Sequence, residues 1–282
     1  MKRLRITICL AVALLAMVTT AQAADFVLTG NQLLDVTTSY TNGYLYEFST
    51  ANVLSSGSIV NDLYAYNSST VNMSGGSTYR FLANDSSTVD MSGGSIYNFY
   101  PNGNSTVKIS GGSITRWLDV YESSIVNISG GSISGFYASG SSTINISGGS
   151  FSGDIYNEAG YANDSSILNI SGGTFHSYLN AMGSSIMFIS GGSISEIFAR
   201  DNSTVIFDGY NFGLGDGLSW GVDGETILGT GLLTGKWFDN TSFVIPIGRR
   251  IGDTTTIMAV PEPATLFLLT LGGLFLRRRN HK

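Results

Sequence analysis

Thr88-Val89-Asp90-Met91-Ser92-Gly93-Gly94-Ser95-Ile96 is answered 18 residues later by Thr106-Val107-Lys108-Ile109-Ser110-Gly111-Gly112-Ser113-Ile114. The Ser-Gly-Gly at its centre begins at Ser74, Ser92, Ser110, Ser129, Ser147, Ser171 and Ser190, with steps of 18, 18, 19, 18, 24 and 19 residues. Self-similarity at a short, nearly fixed period is the signature of a stacked repeat architecture. The four residues before each Ser-Gly-Gly alternate β-branched and polar types, as in Thr70-Val71-Asn72-Met73 and Thr143-Ile144-Asn145-Ile146. That alternation reads as a half-buried strand, with the Val/Ile and Met/Ile columns facing one way and the Thr and Asn columns the other. Gly-Gly then supplies the positive φ and close backbone approach of a sharp corner.

A second apolar beat follows each corner at Ile96, Ile114, Ile133, Phe151, Phe175 and Ile194. Three residues further on comes a third: Phe81, Phe99, Trp117, Phe136, Tyr178 and Ile197. Apolar residues thus recur on at least two sides of every unit. A single unit cannot bury them, but copies stacked at about 4.8 Å close a continuous core. Helical solenoids repeat at longer periods, and Gly-Gly with serine runs in every unit would break them. The predicted fold is an all-β, single-stranded parallel β-solenoid (β-helix) of about nine coils of 18–19 residues with irregular terminal caps. The 24-residue step carries an insertion around 153–163, which maps to a protruding loop.

The expected organisation is a signal peptide over 1–23, an N-terminal cap over 24–50, repeats over 51–212, a C-terminal cap over 213–258 and a tail over 259–282. Lys2, Arg3 and Arg5, the apolar run Ile6 to Val18 and Ala21-Gln22-Ala23 have the three parts of a secretory signal. The apolar run is short for a membrane span. Cys9 lies within it, so the expected mature chain has no thiol and no disulfide.

At the other end, Val260-Pro261-Glu262-Pro263 precedes a short apolar run, Leu266 to Leu276, and the cluster Arg277-Arg278-Arg279. This tail resembles the PEP-CTERM sorting signal of Gram-negative bacteria in all three parts. The resemblance implies an exosortase-type transpeptidase as partner and cleavage near the Pro-Glu-Pro box. It also implies transient membrane anchoring with the arginines retained in the cytoplasm, and a link to exopolysaccharide. The expected destination is the cell surface or extracellular matrix. The tail fixes location and leaves activity open.

Between Ala24 and Val260, seven Lys/Arg stand against nineteen Asp/Glu, a net charge of −12. Such a chain has no basic patch for phosphates, so nucleic acid is not an expected partner. Regular Val/Ile/Phe columns set it apart from a disordered polar sequence. His176 is the single histidine of that segment, which argues against a His-based triad or a multi-histidine metal site. Calcium-binding β-rolls place Asp after their glycines, whereas here Ser-Gly-Gly is followed by Ser-Ile. No cofactor, metal or catalytic residue is assigned.

The expected function is a structural or adhesive, non-catalytic protein of the surface or biofilm matrix. One alternative is a polysaccharide lyase or hydrolase on the same fold. Its candidate carboxylates are Asp119 and Glu122, or Asp154, Glu158 and Asp164 in the insertion, and glycoside hydrolysis needs two at close range. A second alternative is ice binding on the column Thr70, Thr88, Thr106, Thr143 and Thr204, which Ile125, Ile167 and Ile186 interrupt. The Asn column (Asn72, Asp90, Lys108, Asn127, Asn145 and Asn169) is expected to form an outer hydrogen-bonded ladder. A further outer row, Leu82, Tyr100, Leu118, Tyr137, Leu179 and Phe198, offers Tyr100, Tyr137 and Phe198 as aromatic contacts for glycan rings.

Overall fold

The computed structural model describes residues 23–153, 158–249 and 255–260. Their strands form one 22-stranded sheet wound into a solenoid, plus a separate hairpin of Leu218–Trp220 with Ile227–Gly229. The repeat's first segment recurs as parallel, in-register rungs from Leu33–Val36 through Thr50–Val53 and Thr106–Ile109 to Thr204–Asp208. Ten such rungs enclose about nine turns. The parallel β-solenoid expected from the repeat is the fold.

Alternation within each rung decides what is inside. Val71, Val89, Val107, Val126, Ile144 and Leu168 are fully buried, while the Thr and Asn positions between them face outward. Each buried aliphatic or aromatic side chain stabilises the rod by about 1.5–3 kcal/mol relative to exposure. Phe81 and Phe99 stack in the core with ring centroids 4.8 Å apart, and Phe151 and Phe175 do so at 4.6 Å.

Two glycines make the first corner for different reasons. A Cβ on Gly93 would lie 2.4 Å from the Ser74 carbonyl oxygen of the coil below. Gly94 has φ +82, and its Cβ would meet Gly75 O at 2.4 Å. The second corner uses the left-handed conformation without requiring glycine throughout: Asn67 (φ 58), Asp85 (φ 55), Glu122 (φ 56), Asp164 (φ 55) and Asp201 (φ 56) occupy it. Several of these side chains reach one coil down and accept from the backbone. Asp85 Oδ2 accepts from Asn67 N at 2.8 Å, and Asp164 Oδ2 accepts from Gly140 N at 3.0 Å. Short polar side chains tolerate this conformation because they hydrogen-bond locally. The serine that follows, from Ser49 to Ser203, is fully buried at every coil.

The third apolar beat differs from its expected composition. The inward column is Leu63, Phe81, Phe99, Leu118, Phe136, Leu179 and Ile197; Trp117 and Tyr178 lie outside it. The pairing register shifts between Ile114 and Trp117 and between Phe175 and Tyr178, where the 19-residue coils carry one extra residue. A one-residue bulge reverses which side chain points inward. Leu118 and Leu179, expected in the outer row, are therefore fully buried.

Both ends pair with the sheet of the solenoid. Within 24–50, Phe26–Leu28 pairs in parallel with Gly43–Leu45, and Leu33–Val36 with Thr50–Val53, so winding begins before the first Ser-Gly-Gly. At the far end Gly231–Lys236 and Ser242–Arg249 form an antiparallel hairpin. Ser242–Arg249 also pairs in parallel with the ninth coil through Ile197↔Ile247, and Thr256–Val260 pairs with Thr204–Asp208. Trp237 and Phe243, with centroids 4.0 Å apart, close the core there, and the Trp237 indole N–H donates to Gly192 O at 3.1 Å. Closure of this kind shields a sheet edge that would otherwise template further pairing.

Candidate functional site

The third segment of each coil presents outward positions on one long face. Its central column runs Tyr44, Tyr64, Leu82 and Tyr100, then Asp119, Tyr137, Tyr161, Asn180 and Phe198, of which Asn180 is fully buried beside Glu158. Tyr100, Tyr137 and Phe198 thus share the row proposed from sequence, with Asp119 and Asn180 taking the places expected for Leu118 and Leu179. Sequence reasoning missed the tyrosine plate at the amino-terminal end. Tyr44 stacks on Tyr64 (5.2 Å, 4° between planes), Tyr46 on Tyr66 (5.2 Å, 8°), and Tyr64 lies beside Tyr66 (5.9 Å, 3°). The signal was available: both pairs are 20 residues apart, one coil before the clean repeat. Beside the plate, Arg80 Nε and Nη2 grip Asp62 at 2.8 and 2.5 Å, and the Tyr64 hydroxyl donates to Asp62 at 3.0 Å. The Arg80 guanidinium accordingly holds the Asp62 carboxyl below its usual range.

Farther along the face, Trp117, Asp119, Tyr121, Tyr137 and Tyr161 surround a depression of about 210 Å³. Tyr121, Tyr137 and Tyr161 follow one another edge-on, at 6.2 and 6.1 Å between centroids. The packing partner of Trp117 in the next coil is Gly135, which contributes no side chain. Burial raises the Asp119 carboxyl to about 6, against the smaller opposing pull of the Tyr121 hydroxyl and Arg116. The same burial pushes Tyr121 up to about 12.

The remaining carboxylates named from sequence have local tasks. Glu122 holds the exposed left-handed corner. Glu158 is buried and accepts from the Tyr178 hydroxyl at 2.7 Å. Asp164 accepts from Ser139 Oγ at 2.5 Å and from Gly140 N. Asp154 lies outside the described residues. His176 is exposed, with Nε2 3.2 Å from Ser150 Oγ. Among the described residues no three His, Cys, Asp or Glu side chains are placed to hold a metal ion.

A second surface lies on the first segment. Asn52 Nδ2 donates to Asp35 at 2.7 Å, Asn72 to Asn52 at 2.9 Å, Asn145 to Asn127 at 2.8 Å and Asn169 to Asn145 at 2.7 Å. Lys108 stands 3.8 Å from Asp90 where the amide ladder is interrupted. Between this ladder and the corner serines Ser92, Ser110, Ser129 and Ser147 runs an open trough of about 570 Å³ along the rod axis.

The described residues define a parallel β-solenoid that carries an aromatic face and an open trough lined by Met91, Ile109, Ile128 and Ile146 together with Asn and Ser side chains. Residues 259–279 match the PEP-CTERM protein-sorting motif. That motif implies sorting to the cell surface or extracellular matrix through exosortase processing, with a C-terminal anchor before processing. No curated protein and no solved structure matches the chain. Val260 ends the last described strand, while Pro261, Glu262, Pro263 and Arg277 to Arg279 lie outside the described residues, as does the expected signal segment to Gln22. Among the described residues no helix is long and apolar enough to cross a membrane.

Proposed function

We propose that this protein is a non-catalytic rod of the bacterial surface or extracellular matrix that holds exopolysaccharide along its aromatic face. The observation that carries the reading is the alignment of tyrosines with polar partners over successive coils, from the Tyr44–Tyr64 plate to Phe198. Aromatic rings with one wet edge suit the apolar faces of sugar rings while their hydroxyls serve as hydrogen-bonding groups. A stack of coils repeats such contacts along one direction, so a linear polymer could engage several weak sites at once and gain avidity. The local tasks of Glu158 and Asp164, which accept hydrogen bonds from neighbouring side chains or backbone, favour this reading over the enzyme alternative.

The test is co-sedimentation with the producing cell's exopolysaccharide, comparing the wild type with a Tyr100→Ala/Tyr137→Ala/Phe198→Ala variant. The reading expects at least a tenfold loss of binding with unchanged circular dichroism. Undiminished binding by the folded variant would refute it.

A further inference from the structure

The depression at Trp117, Asp119, Tyr121, Tyr137 and Tyr161 differs from the rest of the face in one chemical respect. Its floor holds a carboxylate. Asp119 lies in the central outward column, half-buried, with Tyr137 opposite it in the next coil and Tyr100 beside it in the previous one. Among the described residues no Lys or Arg nitrogen lies within 4.0 Å of it, in contrast to Asp62, which Arg80 grips. The closest cationic influence is Arg116 on the same strand, whose guanidinium sits 5.7 Å over the Tyr97 ring. Withdrawing a carboxylate from water without a counter-charge is costly, and that cost is relieved when a cation enters. The surrounding rings add to this preference, because an aromatic face attracts a positive charge through its quadrupole.

We infer that this depression is a subsite for a protonated amino sugar, an unacetylated hexosamine unit whose ammonium pairs with Asp119 while its ring packs on Tyr137 and Trp117. The site is shallow and open on the axis of the aromatic row, which suits one flat ring within a chain better than a thin aliphatic stem. The inference rests on the exopolysaccharide reading and narrows it to polymers that carry free amines. Pairing requires both an ionised Asp119, whose carboxyl burial raises to about 6, and a protonated amine, which a hexosamine loses as pH rises toward neutrality, so affinity passes through a maximum near pH 6. The titratable or charged groups facing Asp119 are Tyr100, Tyr121, Tyr137 and Arg116, and burial moves the Tyr100 and Tyr121 hydroxyls upward, away from this range.

The experiment is isothermal titration of the full protein at 0.15 M salt with oligomers of glucosamine, N-acetylglucosamine and glucose. Asp119→Asn and Glu122→Gln are compared with the wild type. The expected result is at least tenfold tighter binding of glucosamine oligomers, lost in Asp119→Asn and kept in Glu122→Gln. For the wild type, affinity should pass through a maximum near pH 6 and weaken on either side, a profile that Asp119→Asn should lose. Equal binding of all three sugars overturns the inference while leaving the polysaccharide reading intact. Glucosamine selectivity that survives Asp119→Asn also overturns it, as does tighter binding of a lysine-rich peptide than of any sugar. Absence of binding by every sugar, and by the cell's own exopolysaccharide, removes both readings.

Discussion

Three alanine substitutions at glycines separate the two reasons for the Ser-Gly-Gly corner. In Gly93→Ala the new methyl would stand 2.4 Å from the Ser74 carbonyl, a backbone atom that cannot rotate away. Overpacking of this kind costs about 1–3 kcal/mol and occasionally more. Gly224 has φ +72 with nothing within 4 Å of an added Cβ, so Gly224→Ala carries the left-handed penalty alone, about 1–2 kcal/mol. Gly94→Ala combines φ +82 with Gly75 O at 2.4 Å, and its cost is about 2–5 kcal/mol. With a urea m-value of about 3 kcal/mol/M for a chain of this size, the midpoint shift is about 0.5 M for Gly224→Ala and about 1 M or more for Gly94→Ala. Urea titrations followed by circular dichroism would rank them. Because each coil contacts chiefly its neighbours, the Gly94 variant is also expected to broaden the transition by uncoupling the coils on either side. The reasoning fails if Gly93→Ala lies within 0.5 kcal/mol of wild type, or if Gly224→Ala is the more damaging of the three.

Other substitutions test the polar interior and the electrostatics. Ser142 Oγ is buried with no hydrogen-bond partner, whereas Ser124 Oγ donates to Tyr121 O at 2.6 Å. Ser142→Ala should therefore be neutral or stabilising, and Ser124→Ala should cost about 1 kcal/mol, both read by thermal melts. Asn145→Ala removes two ladder bonds and should cost about 1 kcal/mol at this half-exposed site, measured the same way. The Asp119 carboxyl rises from the ordinary 3.8 to about 6 on folding. Between those values the folded state binds more protons than the unfolded one, so stability falls as pH rises from about 4 to 6, by at most about 3 kcal/mol. Asp119→Asn should flatten that slope in pH-dependent melts. Asp62 has the opposite sign, since its lowered value means stability is lost as acid protonates it, and Arg80→Ala should diminish that loss by returning the carboxyl toward its unfolded value.

Most of the fold could be read in the chain because the same physical demand recurs at every coil. Val or Ile at one rung position, Gly-Gly at the corner and Ser before the strand each answer a local requirement that sequence displays directly. What escaped was register. Whether Trp117 or Leu118 faces the core depends on one extra residue after Ile114, and two adjacent apolar residues cannot announce which of them a bulge will turn inward. The same slip hid the place of Asp119 in the aromatic row, opposite Tyr137, while Glu122 turns the corner. The first coil was hidden for another reason. It lacks Ser-Gly-Gly, although Leu33 to Val36 pairs residue for residue with Thr50 to Val53. The tyrosine plate is built on that coil and the next, so it was lost with them.

The most direct test of the account is the molar mass of the cell's exopolysaccharide, followed by size exclusion with light scattering during incubation with the purified protein. The account predicts that glycan mass stays constant and that protein co-elutes with it. A progressive fall in glycan mass would make the protein a depolymerase and contradict the reading of a non-catalytic rod.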